Sequence, residues 1–348
     1  MPDVKIENLI KRFGDVTAVA GVSVTIPVYN STAYLREAVA SALAQPETAE
    51  VILAEDFSTD GSWELCQQLA KEDERIRLVR PADGRNHGCS ASRNLAMRNS
   101  TCDYIAFLDA DDFFLPDRFV AAKKAFAADP ALDGVYDAVE MYVENEAALQ
   151  RWQAARRGEI SLHTLNRRVP PEELFSALVR QDAGHFHING FLLKRSALEK
   201  SGYFDERLPL HGDEIFFIRL AATCRLGSGS LDEPVAVWRI HPRNRFSASR
   251  PQREVYLLRV KFWNVLWEWG RIHLAPAQRQ LILRALLDDA RLRERFQRPF
   301  PARWKGLQQR IQLALLPFHS PFVLSSRDYW RLFAPRSFVR NPIGSSPV

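Results

Sequence analysis

Between positions 22 and 118 short apolar runs recur, and each of them ends on a cluster of polar side chains. Residues 22–28 read as a buried strand, and residues 51–54, 76–79 and 104–108 read as three more. Helical patterns lie between them: 31–44, with Ser31 placed to cap it and Leu35, Val39 and Leu43 four apart, then 62–71 and 90–98. Strands alternating with helices in this way build βαβ units, hence an α/β chain with a largely parallel sheet. Such sheets bind ligands beyond the carboxyl ends of their strands. The polar clusters stand at those ends: Pro27-Val28-Tyr29-Asn30, Glu55 to Ser62, Arg85 to Gly88, and Asp109 to Asp112. Four ligand-type loops on one sheet edge mark a site.

Further along, residues 130–185 are less regular apart from a helix over 171–179. A strand over 188–193, helices over 196–201 and 213–224, and a last strand over 235–240 follow. After Pro251 the pattern changes to long helices rich in Trp, Leu and Arg, interrupted by Pro276, Pro299, Pro301, Pro317 and Pro321. The chain therefore reads as an N-terminal extension (1–21), an α/β body (22–248) and a helical, basic C-terminal region (249–348).

With 46% apolar and 26% charged residues in 348, the chain has a globular balance that excludes disordered, collagen-like and disulfide-scaffold classes. Cys66, Cys89, Cys102 and Cys224 show no metal-pair spacing, which points to a reducing, cytoplasmic setting. No run reaches the roughly 18 apolar residues of a membrane span, and no signal peptide opens the sequence. The expectation is a chain that neither crosses a membrane nor leaves the cell by that route. Charge is distributed unevenly: from Arg291 to Val348 ten Arg and one Lys face only Glu294 and Asp328, a net +9 within a total of +5. A mildly acidic body joined to a basic tail suits contact with an anionic surface. Trp263, Trp267, Trp269, Trp304, Phe318, Phe322, Trp330 and Phe333 among those basic residues favour a membrane interface, on its inner face, or the packing of a helical subdomain. No nucleic-acid-binding module is recognisable, so no nucleic acid partner is expected.

Asp109-Ala110-Asp111 directly follows an apolar strand. In an extended segment residues two apart face the same way, so both carboxylates would point at one ligand. Few, hard oxygen donors suit Mg²⁺ or Mn²⁺ completed by water and diphosphate oxygens, although an acidic triplet alone fits a solvated turn equally well. In the second cluster Asp60 or Ser62 can cap the next helix, Gly61 permits close backbone approach, and Asp56 can accept the imide N–H of uracil or a ribose hydroxyl. Tyr29 beside Pro27 offers a face on which a base can stack. Asp213-Glu214 suits either a helix N-terminus or a proton acceptor. His185 and His187, two apart, could share one strand face, but read as surface or packing histidines.

Together these segments resemble family 2 glycosyltransferases of the GT-A fold, a Rossmann-like, mostly parallel sheet flanked by helices, here with a C-terminal helical extension. Val24-Thr25-Ile26-Pro27-Val28-Tyr29-Asn30 is similar to the family's opening segment. Glu55 to Ser62 is similar to its D-D-x-S-x-D-G-S turn, with Glu55 where Asp is usual. Asn86 to Asn94 resembles its N-x-G-x-x-x-A-R-N segment, and Phe107 to Asp112 its metal motif. The likeness runs on through Gly190 to Leu198, Gly202 to Glu206, Gly212-Asp213-Glu214 and Trp238-Arg239-Ile240-His241.

The resemblance implies an inverting glycosyltransferase that moves a sugar from a nucleoside diphosphate sugar to an acceptor hydroxyl, in cell-surface polysaccharide or glycolipid synthesis. Asp56 and Tyr29 favour a UDP-linked donor; the acceptor is an unidentified carbohydrate or lipid-linked species. Pro27, Tyr29, Asp56 and Arg93 fall on the nucleotide and diphosphate, and Asp109 on the ribose or sugar. Asp111 falls on a divalent metal, Mn²⁺ or Mg²⁺, and His241 in a loop that closes over the metal or diphosphate. The acidic pair reads Glu-Asp in the family, its second member being the base. Here Glu214 aligns with the base, and Asp213 stays open. Two rival classes are weighed against this. A nucleotidyltransferase would want a Gly-rich, basic loop after the first strand, and an inactive nucleotide-sugar-binding module would lose the metal or base carboxylates. Neither pattern is met. Val4 to Val24 looks like the opening strands of an ABC transporter ATPase, but no G-x-x-x-x-G-K-S/T loop follows, so ATPase function is rejected.

Overall fold

Strand β1 (Val22–Val28) is buried on both faces except at Pro27, as a central parallel strand must be. In the computed structural model, which describes residues 21–154, 161–244, 252–293, 314, 316–318 and 320–331, β1 lies between β2 (Thr48–Glu55) and β4 (Tyr104–Phe107), parallel to both. With β3 (Ile76–Val79), β6 (Gly134–Tyr136), β8 (Phe191–Lys194) and β9 (Leu226–Ser228) they form a seven-stranded sheet, ordered β3-β2-β1-β4-β8-β6-β9. Only β8 runs against its neighbours.

Alternation along β2 explains the two-sided packing. Val51 and Leu53 join the main core with Val24, Ile26 and the apolar face of α1 (Leu35–Leu43), while Ile52 and Ala54 meet Ala96 of α3 (Cys89–Arg98) on the opposite face. Helix α2 (Ser62–Glu72) follows β2, and α4 (Val120–Ala128) sets Ala122 and Phe126 into the main core.

Three expectations change. The helix read over 31–44 begins at Leu35, because residues 31–34 form a turn in which the Ser31 amide donates to Ser62 Oγ (2.8 Å) and its hydroxyl to the Tyr29 carbonyl (3.1 Å). Ser31 ties loops together and does not cap the helix. The strand read over 188–193 starts at Phe191, preceded by a 3₁₀ turn at Ile188–Gly190. Gly190 permits that turn: a Cβ there would lie 2.3 Å from the Asp137 carbonyl oxygen. The irregular middle also contains β6, β7 (Val139–Val143) and α5 (Glu146–Ala154). Strand β7 pairs with β10 (Ala236–Ile240), which pairs in turn with the two-residue β5 (Phe113–Phe114) in a small second sheet. Helices α6 (Pro171–Arg180), α7 (Ala197–Ser201) and α8 (Gly212–Thr223) complete this unit.

The chain divides into two compact units, 1–249 and 250–348. In the second, α9 (Gln252–His273) and α10 (Pro276–Arg293) bury Phe262, Trp263 and Leu266 together with Ile282, Leu286 and Leu287. Trp263 Nε1 donates to Asp289 (3.1 Å), Trp267 stacks on Phe322 and Trp269 on His273. Trp263 is buried in this packing, and Trp267 and Trp269 are half-buried. Trp304, Phe333 and the extension through residue 20 lie outside the described residues. Among the described residues no helix is long and apolar enough to cross a membrane.

Candidate active site

The β1–β4 pairing ends at Thr25 opposite Phe107, whereas β1–β2 continues to Val28 opposite Glu55. The sheet therefore splits beyond Thr25, where the chain order also reverses, β2 and β3 lying to one side of β1 and β4 to the other. A crevice at such a switch point is where an open α/β sheet binds its ligand. Pro27, which has no N–H to give a neighbour, stands beside it.

Loops after β1 and β2 are fastened to each other. Asn30 Oδ1 accepts from the Thr59 amide (2.8 Å), and the Asn30 amide donates to Ser58 Oγ (3.0 Å). Asp60 takes the Thr32 amide and hydroxyl on one oxygen and those of Ser62 on the other. Burial opposes its charge, but these donors hold its carboxyl below the ordinary value. Asn30 (φ 52°) and Phe57 (φ 58°) are left-handed, a costly state for phenylalanine. The turn is secured by Glu55, fully buried, which accepts the Phe57 and Ser58 amides and pairs with Arg80 at 2.7 Å. The Arg80 guanidinium in turn lies 3.7 Å from the Phe57 ring centroid. Above this braced turn Tyr29 is 50% exposed, an aromatic face left outside the core.

Asp56, read from sequence as a base or ribose ligand, is 1% exposed, with its oxygens engaged by the amides of His87 (2.9 Å) and Gly88 (2.7 Å). It fastens the third loop. That loop leads into α3, which presents Arg93, 7% exposed, with Nη2 2.5 Å from Asp109 Oδ1. Burial opposes the Arg93 charge, yet Asp109, Cys89 and Asp213 together raise its pKa above the ordinary value. Its Nε is buried and makes no hydrogen bond among the described residues.

Residues Asp109 to Asp112 form a turn, with the Asp112 amide donating to the Asp109 carbonyl, so the carboxylates do not share one face as an extended segment would require. Asp109 faces Arg93. Asp112 turns inward and accepts from Asn189 Nδ2 (2.6 Å) and the Arg239 amide (2.7 Å). Burial, with the charges of Asp111 and Asp109, pushes its pKa well up. Asp111 turns the other way, its Oδ2 3.0 Å from His241 Nε2 and 3.2 Å from Asn244 Nδ2. The His241 ring lies 4.7 Å from that of Tyr34, and Arg239 Nε holds the Asp111 carbonyl (3.1 Å).

Two groups could hold a cation. Ligand atoms of Asp109, Asp112 and His187 lie within 4.8 Å of one another, but each already has a partner: Arg93, then Asn189 and Arg239, then the Asn189 amide on His187 Nδ1. Asp111 and His241 fit better. A 3.0 Å separation is close to that of adjacent ligands about 2.1 Å from one ion. One carboxylate and one imidazole also leave the remaining positions to water and diphosphate, which suits Mn²⁺ or Mg²⁺.

Helix α8 begins against α3, a Cβ at Gly212 falling 2.6 Å from Ser90 Oγ. Asp213 acts electrostatically on both Arg93 and His187. Glu214 Oε1 lies 2.6 Å from Nδ1 of His211, itself left-handed at φ 62°. His187, expected as packing, belongs to this site, as do Asn189 and Asn244. Asn244 stands three residues after His241 in a turn that His-Pro-Arg-Asn suggests, and His187 and Asn189 fall in the segment where the family resemblance places contacts to acceptor.

A mostly parallel sheet whose switch-point loops carry the Arg93–Asp109 and Asp111–His241 pairs is of the GT-A class. The model of the family described as glycosyl transferase family 2 matches residues 23–202, and the chain belongs to that family of enzymes. It is 31% identical over 210 residues to the minor teichoic acid biosynthesis protein GgaA of Bacillus subtilis, a match covering 57% of this chain and 42% of the relative. The chain thus spans less than half of that curated relative. Among solved structures, S. aureus TarS residues 1–349 with UDP-GlcNAc aligns at TM-score 0.52 and 16% identity, over 89% of each chain. The mannosyltransferase PcManGT of Pyrobaculum calidifontis, with GDP-Man and Mn²⁺, aligns at TM-score 0.50 and 19% identity, over 89% of this chain and 82% of that one. At these identities the likeness is one of fold.

Proposed function

We propose that the chain is a metal-dependent, inverting glycosyltransferase that moves a sugar from a UDP-linked donor to a hydroxyl of a cell-surface glycan precursor, carbohydrate or lipid-linked. The observation that carries this reading is Arg93: a largely buried, charged guanidinium at the sheet's switch point, paired with Asp109, is the kind of group that a diphosphate would meet there. The nucleotide sugars bound by TarS and PcManGT, and the teichoic acid role in the name of GgaA, support the substrate class. The two structures bind different bases, so the choice of UDP rests on exposed Tyr29 as a stacking face and on the edge of the loop that Asp56 holds in place.

In the transfer, Asp109 and Arg93 orient the donor, and a carboxylate at the start of α8 takes the acceptor proton as its oxygen attacks the anomeric carbon. Asp111 and His241 would hold a divalent ion whose charge offsets that developing on the diphosphate. The chain acts at the inner membrane face, its basic C-terminal region against the lipid.

Nucleoside diphosphate release from a panel of UDP- and GDP-linked sugars, with Mn²⁺, Mg²⁺ or excess chelator, tests the reading. Activity is expected with UDP donors and metal, and to fall at least about 10²-fold in Asp111→Asn, a scale typical of losing a group that stabilises transition-state charge. Full activity in chelator overturns the metal assignment, and a preference for GDP donors overturns the base assignment.

A further inference from the structure

The Asp111–His241 contact depends on the direction of one imidazole. Asn244 holds the backbone of the loop after β10: its Oδ1 accepts the His241 amide, and its Nδ2 donates to the Asp111 carboxylate and the Arg239 carbonyl. The His241 ring itself meets Tyr34, with centroids 4.7 Å apart and planes at 39°. That separation falls in the range of a favourable ring contact, so the two rings constrain each other.

Tyr34 is tied down more firmly than space-filling requires. It is half-buried at the end of the turn 31–34, where its amide donates to the Ser31 carbonyl (3.1 Å). Its hydroxyl donates to the Glu144 carboxylate, 2.9 Å from Oε1 and 3.1 Å from Oε2. Glu144 follows β7, and its own amide donates to the carbonyl of Ile240, the residue before His241 (3.0 Å). The guanidinium carbons of Arg239 and Arg243 lie 5.0 and 5.9 Å from the Tyr34 centroid. Arg239 in turn donates from Nε to the Asp111 carbonyl (3.1 Å) and from Nη2 to Glu37 of α1 (2.5 Å). One ring thus joins the turn after β1, the end of β7 and the loop after β10.

We propose that Tyr34 is a positioning residue for the metal pair: anchored on Glu144, its ring holds the His241 imidazole toward Asp111. The turn that carries Tyr34 begins just after Tyr29, so one short segment serves the base and the metal ends of the donor site. The inference rests on the metal-dependent reading above and adds to it the residue that aligns the ligands. Groups that orient a ligating histidine change metal affinity without touching the ion, commonly by about 10- to 100-fold.

The test is Mn²⁺ titration of the full chain at saturating UDP, followed by the paramagnetic resonance of the free ion. Tyr34→Leu keeps apolar bulk and removes the ring, and should raise the Kd for Mn²⁺ at least about tenfold. Tyr34→Phe keeps the ring and loses its anchor on Glu144, so it should raise the Kd by less. UMP has no diphosphate to share with an ion, and should bind both variants within about twofold of the native chain, as independent sites do. In a His241→Ala background Tyr34→Leu should change the Mn²⁺ Kd by less than about twofold, because the ring has no imidazole left to orient. An unchanged Mn²⁺ Kd in Tyr34→Leu, a loss of the same size in both backgrounds, or UMP affinity that falls with it overturns the role of Tyr34. A native chain with UDP that binds Mn²⁺ no more tightly than UDP alone overturns the metal reading instead.

Discussion

Asp213 and Glu214 adjoin on the first turn of α8, where neighbours are rotated by about 100°, so one of them faces the acceptor and the other does not. Residue order favours Glu214, by alignment with the family's Glu-Asp pair. Geometry favours Asp213, whose charge acts on Arg93 and His187, whereas Glu214 is bonded to His211. We therefore expect Asp213→Asn to lower kcat by about 10²-fold or more with a few-fold change in donor KM, and Glu214→Gln to cost less. Steady-state kinetics of both variants with one donor decide it, and a dead Glu214→Gln beside a mildly affected Asp213→Asn assigns the base to Glu214. The pair was legible as chemistry because two carboxylates open a helix, but which one faces inward is set by how α8 packs, a tertiary fact. Asp56 shows the same limit. Its type and place were readable, while its two amide partners come from a loop about 30 residues away in sequence.

At the scale of elements, the parallel strands were legible because burial on both faces leaves an uninterrupted apolar run. Strands β5 and β7 were not, since each is held by β10, about 100 or more residues distant, and β5 has only two residues beside the acidic turn. Cross-strand ties of this kind also set stability. Glu50 on β2 accepts Ser23 Oγ from β1 (2.6 Å), the Thr101 amide ahead of β4 (2.6 Å) and Arg77 from β3 (2.9 Å). Burial alone would raise its pKa, but those donors lower it from 4.5 to about 2. A pKa depressed on folding means stability that is fully present above the unfolded value and lost as pH falls toward the folded one. Glu50→Gln should thus cost about 3 kcal/mol at pH 7, and less than roughly half of that at pH 3. Urea midpoints across that range check it; a cost independent of pH would mean that the carboxylate charge is not what joins the strands.

For the whole molecule, the net charge of +5 conceals a division: +9 resides in the last 58 residues, leaving −4 on the remainder. The aromatic residues of that region divide as well. Trp263 is buried and Trp267 and Trp269 are half-buried against Phe322 and His273, whereas Phe318 is 81% and Trp330 57% exposed, with Leu324 exposed beside Trp330, whose Nε1 donates to the Leu324 carbonyl. Exposed Phe and Trp next to Arg327, and arginines throughout the segment, make the combination that holds a protein at an anionic lipid surface: rings at the headgroup boundary, charge against phosphate. Each basic residue near such a surface contributes about 1 kcal/mol, screened within roughly 8–10 Å at physiological salt. We expect the full chain to sediment with phosphatidylglycerol vesicles and not with phosphatidylcholine vesicles, and to be released between about 0.1 and 0.5 M salt as screening shortens. Phe318→Ser with Trp330→Ser should weaken binding at low salt without changing UDP affinity, because neither residue belongs to the nucleotide site. Equal binding to both lipids, or none to either, would remove the membrane role and leave the basic segment as a solvated surface, with an acceptor that reaches the enzyme from solution.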